Sequence, residues 1–201
     1  MTETSSRGLS RFRLVLWGLV ALVAVAATLI FVMRPPASPV GLTGAPFTLQ
    51  STAGGTFTQD SLKGKPSLVF FGYTYCPDVC PTTLAELAGL REQLKLTPDQ
   101  LQIVFATVDP ERDTVPVMAK YVSGFGTPIV GLSGTDAQVE AAKSAFGIYS
   151  KKVNDDGKGT YLVDHTATVF LLDKNGAFQS TIDFGENTAT AQAKIKRLVA
   201  G

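Results

Sequence analysis

The chain has 201 residues, a formal net charge of +1 and 45% hydrophobic residues. A balance this close to neutral excludes the basic surface that nucleic-acid binding requires, so no nucleic-acid partner is expected. The length suits one globular domain with an appendage.

The appendage comes first. Leu14 to Met33 is a run of 20 residues without a charge. At 1.5 Å per residue, a helix of that length spans roughly 30 Å, the hydrocarbon thickness of a bilayer. Arg7, Arg11 and Arg13 precede the run, and Arg34 alone follows closely. Positive residues stay on the cytoplasmic side, so residues 1–13 are expected inside and the rest outside. The expectation is a single-pass protein of the inner (cytoplasmic) membrane with a periplasmic or equivalent extracytoplasmic domain. A cleaved signal peptide competes, with Ala24-Val25-Ala26 as its cleavage site, but its apolar region would be shorter, ~7–15 residues. No cysteine follows the run to carry a lipid. Residues 34–44, rich in Pro and Gly, read as a linker, and 45–201 as the globular domain.

Phe47 to Gln50 and Thr56 to Thr58 flank Ala53-Gly54-Gly55, a hairpin signal. Ser67 to Tyr73 is an almost continuous apolar run, as in a strand buried on both faces. Pro81 to Lys95 follows helical spacing, with Leu84, Leu87, Leu90 and Leu94 on one face and Pro81 suited to the first turn. Leu101 to Val108 predicts a second central strand, Val115 to Phe125 a short helix, and Ile129 to Leu132 a brief strand. Asp136 to Phe146 reads as a helix capped by Thr135. Ile148 to Val153 is extended and 154–160 is a polar loop. A strand over Thr166 to Asp173 turns at Lys174-Asn175-Gly176 into a partner over Ala177 to Asp183. Thr188 to Ala200 closes the chain as a helix. Strands alternating with helices, then a hairpin and a helix, predict an α/β fold with a mixed central sheet.

Cys76 and Cys80 are the two cysteines of the chain. Their C-x-x-x-C spacing is one residue longer than the C-x-x-C of thioredoxin-like redox enzymes. They fall between an apolar strand and a helix start, where free N–H groups and the helix dipole favour thiolate over thiol. Thiolates there serve disulfide exchange or a soft metal. A purely structural disulfide would close a very short loop and stabilise little. His165 is the single histidine, just before an apolar strand. Two thiolates and one imidazole make a soft set suited to Cu(I), Cu(II) or Zn(II), whereas closed structural zinc sites take four protein ligands.

Other residues carry two readings each. Asp78 tunes the charge between the cysteines or is simply solvated. Asp164 orients the imidazole or caps a turn. Asp109, Glu111, Arg112 and Asp113 follow a central strand at its C-terminal end, where open α/β folds bind ligands, or form a loop of ion pairs satisfied among themselves. Tyr73 and Tyr75 shield the thiols or reflect strand propensity.

Three motifs, Tyr75-Cys76-Pro77-Asp78-Val79-Cys80-Pro81, Val108-Asp109-Pro110-Glu111-Arg112-Asp113-Thr114 and Tyr161-Leu162-Val163-Asp164-His165-Thr166, together resemble the Sco/SenC family. The resemblance covers roughly residues 40 to 200 and the position of the anchor. It implies a thioredoxin-like fold and a membrane-anchored copper chaperone that serves the dinuclear copper centre of cytochrome c oxidase subunit II. It makes Cys76, Cys80 and His165 the ligands of one copper ion, Cu(I) or Cu(II), with His165 standing where thioredoxins carry a cis-proline. Expected partners are the oxidase subunit, other periplasmic copper chaperones or thiol reductases, and the membrane. The alternative activity is that of a thiol–disulfide oxidoreductase, with Cys76 and Cys80 as its redox-active pair, reducing the copper-ligand cysteines of the oxidase subunit. Because only thiolates bind metal, a disulfide between the two cysteines would release it.

Overall fold

A computed structural model of the protein describes residues 5–33, 45–154, 157 and 160–201. The expected linker over 34–44 and most of the polar loop over 154–160 lie outside the described residues. The chain divides into an N-terminal helical unit and a C-terminal globular unit.

The N-terminal unit is α1 (Ser5–Met33). Within it Phe12–Leu29 has a mean hydropathy of 2.2, long and apolar enough to cross a membrane, and its side chains are exposed. Such a helix, beside the apolar run read from the sequence, suggests membrane anchoring.

The globular unit is built on a seven-stranded mixed sheet. Its strands are β1 (Thr48–Ser51), β2 (Thr56–Thr58), β3 (Ser67–Gly72), β4 (Gln102–Thr107), β5 (Val130–Ser133), β8 (Thr168–Leu172) and β9 (Phe178–Asp183). They lie in the order β2-β1-β5-β4-β3-β8-β9. The remaining pair, β6 (Ser150–Val153) and β7 (Leu162–His165), forms a separate two-stranded sheet. β3, β4 and β5 run parallel, and β8 returns antiparallel to β3. Every residue of β3 and β4 is buried, which is why both read as unbroken apolar runs rather than alternating ones.

Helices α2 (Val79–Gln93) and α3 (Val115–Ser123) make the crossovers between the parallel strands. Both step in the same direction along the sheet, so right-handed crossovers place them on one face. Tyr121 of α3 lies tilted against Phe105 of β4, and Phe105 stacks on Phe70 of β3. The neighbouring Phe71 points to the other face, where Phe146 of α4 (Asp136–Phe146) meets it at 5.1 Å between ring centroids. α4 starts with the expected cap: Thr135 accepts from the Gln138 N–H, and Gln138 accepts from Thr135 in return. α5 (Thr188–Ala200) packs on β8 and β9.

Two elements depart from the sequence expectation. α2 begins at Val79 rather than Pro81, so Cys80 lies inside the first helical turn and Pro81 follows it there. β7 was not expected. Its alternation of exposed Leu162, buried Val163 and exposed Asp164 is too short for a periodicity argument, and it gains its structure by pairing with β6 across the polar loop.

Candidate metal centre

The strand-to-helix junction after β3 places the two thiols, and the end of β7 brings the imidazole to them. The ligand atoms of Cys76, Cys80 and His165 all lie within 4.8 Å of one another. Both cysteines are free; Cys80 is fully buried and Cys76 half-buried. His165 Nε2 stands 3.4 Å from Cys80 Sγ. Its Nδ1 lies 3.0 Å from the Thr166 carbonyl, an oxygen that only accepts, so the proton sits on Nδ1 and Nε2 keeps its lone pair. Asp164, the sequence candidate for this orienting role, is exposed on β7; the Thr166 backbone does the work instead.

The two sulfurs are unequal. The Cys80 thiol donates to Cys76, and the Asp78 and Cys80 backbone N–H groups also favour charge on that sulfur. These outweigh burial, and the Cys76 pKa falls to about 4. The same bond and burial push Cys80 far up. In the metal-free chain Cys76 is the thiolate and Cys80 holds the shared proton. From about 4 up to the unfolded thiol range the folded pair holds one proton fewer than the unfolded pair, so its contribution to stability grows with pH there and is lost as pH falls through about 4; above that range the raised Cys80 works against it. Alkylation of Cys76 by iodoacetamide should therefore stay fast well below pH 7. In Cys80→Ala its midpoint should rise toward the ordinary thiol range of about 8.5. A wild-type midpoint near 8.5 would contradict the assignment.

Gly72, which sequence reasoning passed over, is what lets the sulfur in. A Cβ at this last residue of β3 would stand 2.6 Å from Cys80 Sγ and 2.8 Å from Phe105 Cε2. The sequence signal was available: a glycine closing an otherwise unbroken apolar strand marks a close approach.

The loop after β4 holds both halves of the site. Asp113 is fully buried and accepts from the Thr74 N–H (3.0 Å), the Thr74 hydroxyl (2.5 Å) and the Thr107 hydroxyl (2.7 Å). It thus fixes the residue two before Cys76. Burial outweighs these bonds and raises its pKa. On the histidine side, Asp109 pairs with Arg112 at 2.5 Å and accepts from the Tyr161 hydroxyl at 2.7 Å. Glu111 pairs with Lys152 of β6 at 2.6 Å. Among the described residues, only the Asp109–Arg112 pair is internal to the loop; its other acids are satisfied by neighbouring segments, and the loop thereby ties those segments together. Tyr73 is buried; its hydroxyl accepts from the Val163 N–H at 3.2 Å, and its ring meets His165 edge-on at 5.8 Å. Tyr75 is exposed, 59%, and shields little. Asp78 is exposed at the start of α2 and accepts from the Thr82 hydroxyl.

The SCO1/SenC family model matches residues 36–200. The chain belongs to the SCO1/SenC family. Among relatives of that family, an SCO2-like protein of Rickettsia prowazekii is 37% identical over 136 residues, covering 67% of this chain and 66% of its own length. Protein SenC of Rhodobacter capsulatus is 38% identical over 149 residues, covering 74% and 66%. The matches thus span just under two thirds of these relatives. Copper-bound ScoI of Bradyrhizobium japonicum superposes with a TM-score of 0.70 at 40% identity, over 79% of this chain and 99% of that one. Copper-bound yeast Sco1 gives 0.71 at 34% identity, over 81% and 89%. The mixed α/β sheet of this SCO1/SenC chain is the thioredoxin-like fold expected from its motifs.

Proposed function

We propose that the chain is a membrane-anchored copper chaperone whose cargo ion is held by Cys76, Cys80 and His165 and delivered to the dinuclear copper centre of cytochrome c oxidase subunit II. The observation that carries this reading is the convergence of two free thiols and a bare imidazole nitrogen within 4.8 Å. Donors at roughly 2.0–2.3 Å from one ion stand no more than about 4.6 Å apart, so the trio fits an ion with small adjustments. Its softness suits copper, and the relatives solved with copper support the choice. On this reading α1 is the anchor, residues 1–13 face the cytoplasm, 34–44 is the tether and 45–201 is the copper-binding domain outside. An incoming thiolate of the acceptor adds to the ion before a chaperone ligand leaves, so the copper is never free. A Cys76–Cys80 disulfide removes two of the three donors, so holding copper requires the reduced chain.

The lowered pKa of Cys76 favours a second reading, a thiol–disulfide reductase. Cys76 would attack a disulfide of the oxidase subunit and Cys80 would resolve the mixed disulfide. Two electrons and the one proton of Cys80 pass to the target, a second proton comes from solvent, and a Cys76–Cys80 disulfide remains. Oxidase assembly in cells lacking the wild-type chain separates the readings. Copper delivery requires that His165→Ala fail as Cys76→Ser does. Full assembly with His165→Ala, together with failure of either Cys→Ser variant, would give the role to the reductase.

A further inference from the structure

Arg112 touches all the segments that frame the candidate site. Its guanidinium lies 3.6 Å from the ring centroid of Tyr161, 4.7 Å from that of Tyr75 and 5.8 Å from that of Tyr73. Tyr73 follows β3, Tyr75 immediately precedes Cys76, and Tyr161 lies four residues before His165. Nε donates to Asp109 at 2.5 Å, and Nη1 donates to the Tyr161 carbonyl at 3.1 Å. Nη2 is buried without a hydrogen-bond partner among the described residues, so ring faces rather than acceptors surround much of this cation.

The position matters because, among the described residues, β6 and β7 pair with no strand of the main sheet. Among the described residues, polar ties of this hairpin to the body include those from Val163 to Tyr73, from Tyr161 to Asp109 and Arg112, and from Lys152 to Glu111. Three of the four partners sit on the loop after β4. Cys80, by contrast, stands in the first turn of α2, and Cys76 on the short junction between β3 and α2, two elements of the packed body. The sulfur-to-sulfur geometry is thus set by the core, and the sulfur-to-nitrogen geometry by the hairpin's mount. A planar guanidinium stacked on Tyr161 and reaching Tyr75 touches both sides, as Tyr73 does through Val163 and His165, and it is the one of the two that stands on the loop after β4.

We propose that Arg112 is a positioning residue that sets His165 against the two thiols, so that it governs the three-donor site while leaving two-thiolate holding of copper intact. The proposal rests on the copper reading above. It predicts a split by oxidation state: Cu(I), satisfied at low coordination by two sulfurs, should be indifferent to Arg112, and Cu(II), which uses the imidazole, should not.

The test uses the full chain in detergent, reduced and anaerobic, with Cu(II) and Cu(I) each titrated against a competing chelator. Thermal melting is recorded to show that each variant is folded. Arg112→Gln should weaken Cu(II) binding by about 10–100-fold, the range for loss of a group that orients a ligand, and shift the thiolate-to-Cu(II) absorption. Cu(I) affinity should stay within about twofold of wild type, and Arg112→Gln should cost no more than about twofold in a His165→Ala background. Arg112→Lys keeps the charge but cannot stack, and it serves equally if the Gln variant does not fold; it should lose Cu(II) affinity as well. Unchanged Cu(II) affinity in the folded Arg112 variants, with His165→Ala still deficient, overturns the proposal alone. Equal losses for Cu(I) and Cu(II), or full restoration by Arg112→Lys, overturn it too. Unchanged Cu(II) binding in His165→Ala overturns the three-ligand reading and the Arg112 proposal together.

Discussion

Cys76→Ser should leave the chain unable to hold copper through purification, with a loss of affinity beyond ~100-fold, the upper end of what removing an outer-shell partner costs. The reason is both electronic and positional. Cys76 is the sulfur that is already ionised in the metal-free chain, through the Cys80 thiol and two backbone N–H groups. A serine hydroxyl in its place is a hard donor that stays protonated at neutral pH, and one soft ligand then remains beside the imidazole. Cys80→Ser should have the same consequence for metal. It adds a folding cost, because it puts a hydroxyl into a site with no solvent exposure. Metal analysis of the reconstituted chain and its thiolate-to-Cu(II) absorption read both variants. One copper per chain with an unaltered spectrum in Cys76→Ser would refute the ligand assignment.

Gly72→Ala should be the most damaging substitution that leaves every donor in place. The added methyl would sit 2.6 Å from Cys80 Sγ and 2.8 Å from the Phe105 ring. Neither neighbour is free to yield. Phe105 is held between Phe70 and Tyr121, and Cys80 is fixed in the first turn of α2. Overpacking of this kind costs about 1–3 kcal/mol. At about 2–4 °C of Tm per kcal/mol for a domain of this size, melting should fall by several degrees. Relief requires β3 and α2 to move apart, and that motion carries Cys80 away from Cys76 and His165. Copper affinity should therefore fall along with stability, whereas an overpacked site far from the sulfurs would lower stability alone. Wild-type melting and wild-type copper affinity in Gly72→Ala would show that the close approach is not a constraint.

The frame of this fold was legible because its central strands are buried on both sides. β3 and β4 need apolar residues at every position, and the sequence supplies them. Helix α4 was legible from its Thr135 cap and apolar spacing, and the β8–β9 hairpin from Asn175-Gly176. The cysteines announced themselves by rarity and by their place between a strand and a helix. His165 was legible as a candidate, but its partner was not. An imidazole held by the next residue's carbonyl leaves no trace in side-chain identity, and so the neighbouring Asp164 attracted the role instead. β7 escaped because four residues with one buried side chain carry no period. The acidic loop after β4 was read as either self-satisfied or functional. One ion pair is internal, Asp109 with Arg112, but the other bonds of Asp109 and Asp113 reach outward and tie down Tyr161 and Thr74. Only the three-dimensional register of the loop against two distant segments reveals that.

The separateness of the β6–β7 sheet bears on how long an ion would stay. Two of the donors share the rigid body of the sheet and its helix, and the third rides on a hairpin outside the main hydrogen-bonded ladder. Letting go of one ligand then takes a small local excursion, whose free energy is a fraction of that for unfolding the domain. Residence time and thermal resistance become independent quantities. A relative hardened against heat through its core strands need not grip its ion any longer, and one with a slacker hairpin mount could exchange faster at no cost to its melting point.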